Sequence, residues 1–138
     1  MWWILPIIGI VFALLPEGRL GCNDPVEREA SPDAAWTLTL CRRPMWFAMP
    51  GGRSDSPGWV VLRDLHGAIR GVVDLSMIQS YRATSATGPV WEPGWVRVPL
   101  AAELPLTAAS GPVARWMEGR IWRWRALLGL VPTDDMFR

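Results

Sequence analysis

The chain has 138 residues, with 14 basic and 13 acidic side chains and a formal net charge of +1. A chain of this length builds one small domain, and its nearly neutral charge excludes a field strong enough to attract nucleic acid. All of the basic residues are arginine. We interpret that bias as the codon usage of a G+C-rich, bacterial genome.

The sequence carries no motif that predicts catalysis. It has no phosphate-binding loop, no dinucleotide-binding fingerprint and no nucleophile elbow. One histidine, His66, and two cysteines are too few for a metal site. A hydrolase would need Asp64, Asp74 and His66 to converge in a cleft. We therefore expect a protein that is not an enzyme and that uses no cofactor.

Residues 1–16, MWWILPIIGIVFALLP, are apolar almost throughout and predict a membrane anchor. A helix of this length reaches about 24 Å, less than the ~30 Å of the hydrocarbon core. Pro6 lies near the first turn, where a proline is tolerated. The side chains expected in the membrane are Trp2, Trp3, Ile4, Leu5, Ile7, Ile8, Ile10, Val11, Phe12, Leu14 and Leu15.

Other interpretations of this segment are open. A cleaved signal or a lipoprotein signal would end near Gly21-Cys22, although Arg19 stands where a lipoprotein signal prefers an aliphatic residue. A short apolar segment can also be buried in a core. Arg19 and Arg28 favour a cytoplasmic side for the chain that follows, whereas paired cysteines favour export.

Residues 17–35 are polar and contain two prolines, which predicts a linker. Cys22 lies in this linker and Cys41 lies in the segment after it. Two cysteines in an exported domain of this size predict one disulfide. It would close a loop of about 20 residues and contribute about 3 kcal/mol in the chain-entropy model. The alternative is a pair of free thiols.

Residues 36–107 predict a small β domain. Apolar and polar side chains alternate from Trp36 to Cys41, with Trp36, Leu38 and Leu40 on one face, as in a half-buried strand. The runs WVVLRD and IRGVVDLSMI flank the turn at 65–68 and predict a β-hairpin. Short strands separated by turns predict a small antiparallel β-sandwich or a half-open barrel.

A further run follows at residues 95–106, WVRVPLAAELPL. Its Pro99 and Pro105 predict an edge strand or a strand with a bulge. The preceding WEPGW predicts a turn flanked by indoles, which we expect in the β core or at its rim.

Residues 108–129 predict an amphipathic helix, and residues 130–138 a polar tail. Pro112 suits the first turn and Gly129 the end of the helix. At about 100° per residue, one side carries an apolar arc of Val113, Met117, Ile121, Trp124 and Leu128. Trp116 and Leu127 lie just beside it, and the opposite side carries Arg115, Glu118, Trp122 and Arg125. The arc either packs on the β domain or contacts a membrane or a partner subunit.

Two groups of residues are candidates for partner contacts. The stretch RRPMWFAMPGG contains more large side chains than one strand face buries, and these are Met45, Trp46, Phe47 and Met49. Burial on both faces of a strand is the alternative. The helix interleaves indoles with guanidiniums, as membrane and subunit interfaces do, at Trp116, Arg120, Trp122, Arg123, Trp124 and Arg125. Arg120 falls within the apolar arc and requires a carboxylate or a path to water.

The expected architecture is mainly β, with an N-terminal membrane helix and a C-terminal amphipathic helix. We expect a non-catalytic accessory or stabilising subunit of a larger bacterial membrane complex, for example a respiratory or photosynthetic one. Its partners would be other membrane-protein subunits and the lipid bilayer. It would cross the inner membrane once, with the β domain in the periplasm. The alternative is an exported binding module or lipoprotein that recognises a small ligand or an envelope component in a pocket lined by indoles.

Overall fold

A computed structural model describes residues 3–14, 22, 24–43, 56–83, 88–108 and 111–131. Within these residues the elements are, in chain order, α1 (Ile4–Leu14), β1 (Pro25–Ala30), β2 (Trp36–Arg42), β3 (Gly58–Asp64), β4 (Ile69–Leu75), α2 (Ile78–Ala83), β5 (Val90–Glu92), β6 (Trp95–Val98), β7 (Ala102–Pro105) and α3 (Pro112–Leu127). Of the predicted polar tail, only residues 130 and 131 are described.

The strands form two antiparallel sheets. The first has the order β1-β2-β3-β4 and the second has the order β5-β6-β7. Neither of these described sheets is closed into a barrel. The predicted mainly β class with a C-terminal helix is therefore confirmed.

Each face of the first sheet contributes to a separate core. The core between the two sheets contains Trp36, Leu38, Leu40, Val60, Leu62, Leu75, Ile78, Tyr81, Val96, Val98 and Leu104. The core on the opposite face contains Cys41, Trp59, Val61 and Ile69, with Cys22, Val72 and Trp122 partly buried against it. Strand β2 divides its side chains between these cores as its alternating sequence predicts.

The predicted β3–β4 hairpin is confirmed, and Gly67 in its turn has a φ of 77°. Strand β4 ends at Leu75, three residues before the predicted run ends, and helix α2 follows at Ile78. The backbone N–H of Ile78 donates to the carbonyl of Ser56 at 2.9 Å. The Ile78 side chain, which is 2% exposed, lies in the core between the two sheets. This burial turns the chain out of the sheet before the apolar run is complete.

The run at residues 95–106 forms two strands rather than one edge strand. Strands β6 and β7 pair with each other, with Val98 opposite Ala102. Pro99 has no N–H to donate to a ladder, and Leu100 adopts a φ of 58°. The chain therefore reverses at these two residues, which corrects the prediction of a continuous strand with a bulge.

The predicted linker at residues 17–35 contains strand β1. This strand pairs with β2, with Glu27 opposite Leu40 and Ala30 opposite Thr37. An open sheet edge satisfies the backbone groups of a neighbouring strand whatever its side chains, so β1 needs no apolar pattern. The predicted disulfide between Cys22 and Cys41 is present, with 5.5 Å between the Cα atoms.

Helix α1 has 11 residues, which corresponds to about 16 Å. Every residue from Trp3 to Val11 is exposed. No helix within the described ranges combines the length and hydropathy that a bilayer crossing requires. Trp2 and Leu15 of the predicted anchor lie outside the described residues, as do the side chains of Phe12 and Leu14.

Candidate functional site

Helix α3 is the element on which the described candidates for partner contacts lie. Gly111 precedes it with a φ of 96°, a conformation that glycine adopts without strain. Pro112 occupies the first position, where its missing N–H has no partner to lose. The predicted helix is therefore confirmed, with ends at Pro112 and Leu127.

The side of α3 opposite the apolar arc is the side that contacts the first sheet. Trp122 packs, partly buried, against the core formed by Cys41, Trp59, Val61 and Ile69. Glu118 forms an ion pair with Arg70 of strand β4. Polar and amphipathic side chains, rather than the apolar arc, thus hold the helix on the β domain.

Arg70 lies at the centre of this contact, and its side chain is only 4% exposed. Its Nε and Nη2 donate to one carboxylate oxygen of Asp64 at 2.9 and 2.7 Å. The other oxygen of Asp64 accepts from the backbone N–H groups of His66 and Ala68 at 2.9 and 3.0 Å. We refer to Asp64, Arg70 and Glu118 as the Arg70 cluster.

The Arg70 cluster keeps Asp64 ionised. Burial by itself raises the pKa of this carboxyl, but the hydrogen bonds from Arg70, Ala68 and His66, together with the charge of Arg70, outweigh it and lower the pKa. Asp64 is therefore a charged and largely buried hydrogen-bond acceptor that stabilises both the hairpin turn and the ion pair with Arg70.

The three residues that a hydrolase would need do not converge. Asp74 lies opposite Trp59 in the β3–β4 register, at the other end of the hairpin from Asp64 and roughly 17 Å away along the strand. There it accepts a hydrogen bond from Arg43 at 3.2 Å. His66 is exposed in the turn. Each residue is thus placed where it serves the local structure.

The side of α3 opposite Glu118 and Trp122 is mostly apolar, and it also includes Arg120, which is 8% exposed. We define its outer face as Val113, Trp116, Met117, Ile121, Leu127 and Leu128, which are between 43% and 69% exposed. The interpretation in which the apolar arc packs on the β domain is therefore wrong for these residues. Trp124, also assigned to the arc, is half-buried.

Two arginines of α3 lie against indoles. Arg120 is 8% exposed, and its guanidinium carbon lies 5.2 Å from the centre of the Trp116 ring. Arg125 is exposed and lies 4.8 Å from the Trp122 ring. Contact with an aromatic face stabilises a guanidinium electrostatically, so the Trp116 indole helps to hold the Arg120 guanidinium in place. Arg123 is half-buried.

The remaining candidates of the sequence, Met45, Trp46, Phe47 and Met49, lie outside the described residues. Sequence reasoning missed Arg70 as the residue that holds α3. Its only signal is an arginine within an apolar strand run, and that signal does not reveal which helix face lies above it.

A cleft of about 260 Å³ lies beside the core between the two sheets. It is lined by Trp36, Trp91, Asp33, Glu92, Pro32 and Pro93. Hydrogen bonds from the hydroxyl of Ser31 and the backbone N–H of Ala35 lower the pKa of Asp33, so its carboxylate is ionised at neutral pH. A smaller cleft of about 210 Å³ adjoins Arg70, Glu118, Trp122 and Arg125. Its charged groups include the Arg70–Glu118 ion pair.

The first cleft combines two indoles with carboxylates, and the second lies beside an internal ion pair.

No family model, curated protein or solved structure matches the chain.

Proposed function

We propose that this protein is a non-catalytic accessory or stabilising subunit of a larger bacterial membrane complex, such as a respiratory or photosynthetic one. The observation that carries the proposal is the presence of two exposed apolar helical surfaces, on α1 and on the outer face of α3. Other membrane-protein subunits and the lipid bilayer are the proposed partners.

The extent of these surfaces supports the proposal. On α1, Trp3 is 81% exposed and Leu5 is 76% exposed. On α3, Val113 is 69% exposed and Leu128 is 66% exposed. Contiguous apolar patches of this kind on a folded protein mark contacts with proteins or membranes.

The proposed attachment is through residues 1–16, inserted into the inner membrane as a single span of which α1 is the described part. The β domain would lie in the periplasm. The disulfide between Cys22 and Cys41 supports this side of the membrane, because disulfides form and persist in oxidising compartments. A non-catalytic role is supported by Asp64 and Asp74, whose carboxylates accept hydrogen bonds from Arg70 and Arg43.

The test is extraction from native membranes in mild detergent without reductant, followed by intact-mass spectrometry of the chain and of any co-purifying proteins. The proposal expects the full-length mass less two protons, together with membrane subunits in fixed ratio. A free monomer, or a chain lacking its first twenty or so residues and having no partners, would overturn it.

A variant pair makes the membrane part of this test specific. Ile8→Asp places a charge in the proposed span, where an acidic side chain costs about 2.5–3.5 kcal/mol, and should move the protein into the soluble fraction. Leu65→Asp makes the same change at an exposed turn residue, 73% exposed, and should leave the protein in the membrane. Equal release of both variants would contradict anchoring by residues 1–16.

The cleft at Trp36 and Trp91 favours a second candidate, an exported binding module or lipoprotein. Aromatic faces beside the ionised carboxylate of Asp33 suit a small organic cation. Choline is a suitable probe, with binding followed by tryptophan fluorescence of the full chain. This candidate expects saturable quenching that Trp91→Ala abolishes and Trp95→Ala, outside the lining of the cleft, retains. Linear, non-saturating changes would dispose of it.

A further inference from the structure

We propose that the cleft at Trp36 and Trp91 binds a guanidinium group, presented as an arginine side chain by a partner subunit. This inference names the chemistry by which the partner is recognised, and it rests on the proposed accessory function. It differs from the small-ligand candidate because it assigns the cleft to a contact between proteins.

The cleft lies between two tight turns, one from each sheet. The β1–β2 turn contributes Asp33 and the β5–β6 turn contributes Pro93. In the first turn the backbone N–H of Trp36 donates to the hydroxyl of Ser31 at 3.0 Å. In the second turn Gly94 has a φ of 88°, the conformation that follows proline in a type II turn. Both sides of the cleft are therefore ordered before a ligand arrives, which lowers the entropic cost of binding.

Two indoles form the apolar walls of the cleft. Trp36 is 9% exposed and belongs to the core between the two sheets, and Trp91 packs against that core. The walls are thus fixed by the packing that holds the sheets together. Indole is the aromatic group that attracts cations most strongly, and arginine makes this contact more often than lysine does.

Two carboxylates give the cleft its charge. The hydrogen bonds that Asp33 accepts from Ser31 and Ala35 both end on Oδ1, so they leave the lone pairs of Oδ2 for another donor. Glu92 is exposed and forms no ion pair or hydrogen bond with any residue that the structure describes. None of the described lining residues is basic. The charge of the cleft therefore complements a cation.

The carboxylate acceptors distinguish a guanidinium from other organic cations. A quaternary ammonium such as choline has no N–H group, so it would leave the carboxylate oxygens without a donor. A primary ammonium is compact and strongly hydrated. A guanidinium carries five N–H donors in one plane, so it can stack on an indole while its edges donate to carboxylates.

The open rim of the cleft favours a guanidinium that is carried by a protein. Small-molecule sites enclose most of the surface of their ligand, whereas four of the eight described lining residues here are exposed, namely Pro32, Asp33, Glu92 and Pro93. A partner that inserts one side chain covers such a rim with its own surface. Arginine is also among the residue types that contribute most to the affinity of protein interfaces.

The first measurement is a titration of the full-length protein in detergent, followed by the indole N–H signal of Trp91 in nitrogen–proton correlation NMR spectra. Trp91→Phe identifies this signal. The probes are N-acetyl-arginine amide, its uncharged analogue N-acetyl-citrulline amide, and choline. We expect the arginine probe to bind at least about tenfold more tightly than either of the others.

Variants of the carboxylates locate the binding. Asp33→Asn/Glu92→Gln should weaken binding of the arginine probe by about tenfold, and Glu92→Gln alone, which breaks no bond of the fold, should weaken it in part. Asp24→Asn/Glu103→Gln removes the same charge from two exposed carboxylates outside the lining of the cleft and should leave binding unchanged.

The second measurement asks whether a partner supplies the arginine. Wild type and the two double variants are extracted from native membranes in mild detergent, and co-purifying subunits are quantified by mass spectrometry. We expect the cleft variant to lose about tenfold of the subunits that wild type and the control variant retain.

Equal binding of the arginine and citrulline probes, or tighter binding of choline, would overturn the guanidinium assignment. Full retention of the subunits by the cleft variant would overturn the protein source and assign the cleft to a free guanidinium compound. A wild-type chain that co-purifies with no subunit would overturn the accessory function and the protein source together. The titration is made on the chain alone, so failure of the cleft is distinguishable from failure of the accessory function.

Discussion

Glu118 on helix α3 forms an ion pair with Arg70 on strand β4, and this contact orients the helix on the domain. The arginine side chain is 4% exposed and the glutamate side chain is 39% exposed. The ion pair thus joins a buried residue of the sheet to a partly exposed residue of the helix. Because this polar side of α3 faces inward, the apolar outer face points away from the domain.

Replacing Arg70 should destabilise the protein far more than replacing Glu118. Arg70→Met leaves the largely buried carboxylate of Asp64 without its guanidinium, and we expect the free energy of unfolding to fall by about 3–5 kcal/mol. Glu118→Gln removes a half-exposed partner and should cost about 1 kcal/mol. Guanidinium chloride unfolding followed by far-UV circular dichroism measures both.

Glu103→Gln is the matched control for the Glu118 variant. Glu103 is 59% exposed and pairs with Arg97 at 3.0 Å, so we expect a loss below about 0.5 kcal/mol. If Glu118→Gln cost no more than Glu103→Gln, the ion pair between Glu118 and Arg70 would not be the contact that holds α3.

Stability should fall at acidic pH because of Asp64. The pKa of Asp64 is lower in the folded protein than its usual 3.8, so its stabilising contribution is fully present above that value. The contribution is lost as the pH falls through the lower folded pKa. Thermal unfolding of wild type and Asp64→Asn between pH 2 and 7 should show a decrease below about pH 4 that is smaller in the variant.

The titration of Glu29 has the opposite effect on stability at acidic pH, so a substitution should separate it from the titration of Asp64. Burial and the neighbouring charge of Glu27 raise the pKa of Glu29, and a hydrogen bond from Tyr81 partly offsets them. Its protonation therefore favours the folded state as the pH falls through the raised pKa. In a Glu29→Gln background the acid-induced loss should be steeper. An unchanged profile would contradict the assigned direction.

The disulfide should contribute about 3 kcal/mol to stability in the chain-entropy model, since Cys22 and Cys41 are separated by 19 positions. Reduction of the wild type should lower the unfolding midpoint in denaturant. In the variant Cys22→Ser/Cys41→Ala, alanine at the fully buried position 41 avoids burying a hydroxyl. This variant should start at the lower midpoint and show no response to reductant. A wild-type midpoint that is insensitive to reductant would contradict the prediction.

Two glycines should respond in opposite ways to alanine. A Cβ at Gly58 would collide with the carbonyl oxygen of Cys41 and approach the Ile78 side chain at 2.9 Å. We therefore expect Gly58→Ala to lose at least 2 kcal/mol, roughly the cost of overpacking a core. Gly119 lies within α3 with nothing within 4 Å of the added Cβ, and Gly119→Ala should gain about 0.5–1 kcal/mol. Equal effects in denaturant unfolding would refute the packing argument.

Local patterns predicted those elements whose side chains alternate or repeat against a core. Trp36, Leu38 and Leu40 share a core because successive residues of a strand point to opposite faces. The β3–β4 hairpin and the start of α3 at Pro112 follow from turn and capping chemistry that lies within a few residues. These signals are local, so they can be recognised in a single sequence.

The elements that were missed depend on partners distant in the chain. Strand β1 is polar and exists through its pairing with β2. Helix α2 begins where Ile78 enters a core that is formed mostly by residues of the strands. The 95–106 run is divided into two strands at Pro99 and Leu100. The prolines alone predicted an edge strand or a strand with a bulge.

The amino-acid sequence by itself determined that the protein is mainly β and that α3 is amphipathic, because each property follows from composition or from local periodicity. Only the tertiary structure decided which side of α3 faces the domain. A hydrophobic arc predicts burial, yet the buried Arg70 guanidinium pairs with Asp64 and takes Glu118 of the helix as its second carboxylate. That ion pair, together with Trp122 against the core formed by Cys41, Trp59, Val61 and Ile69, places the opposite, mostly apolar side of the helix away from the first sheet.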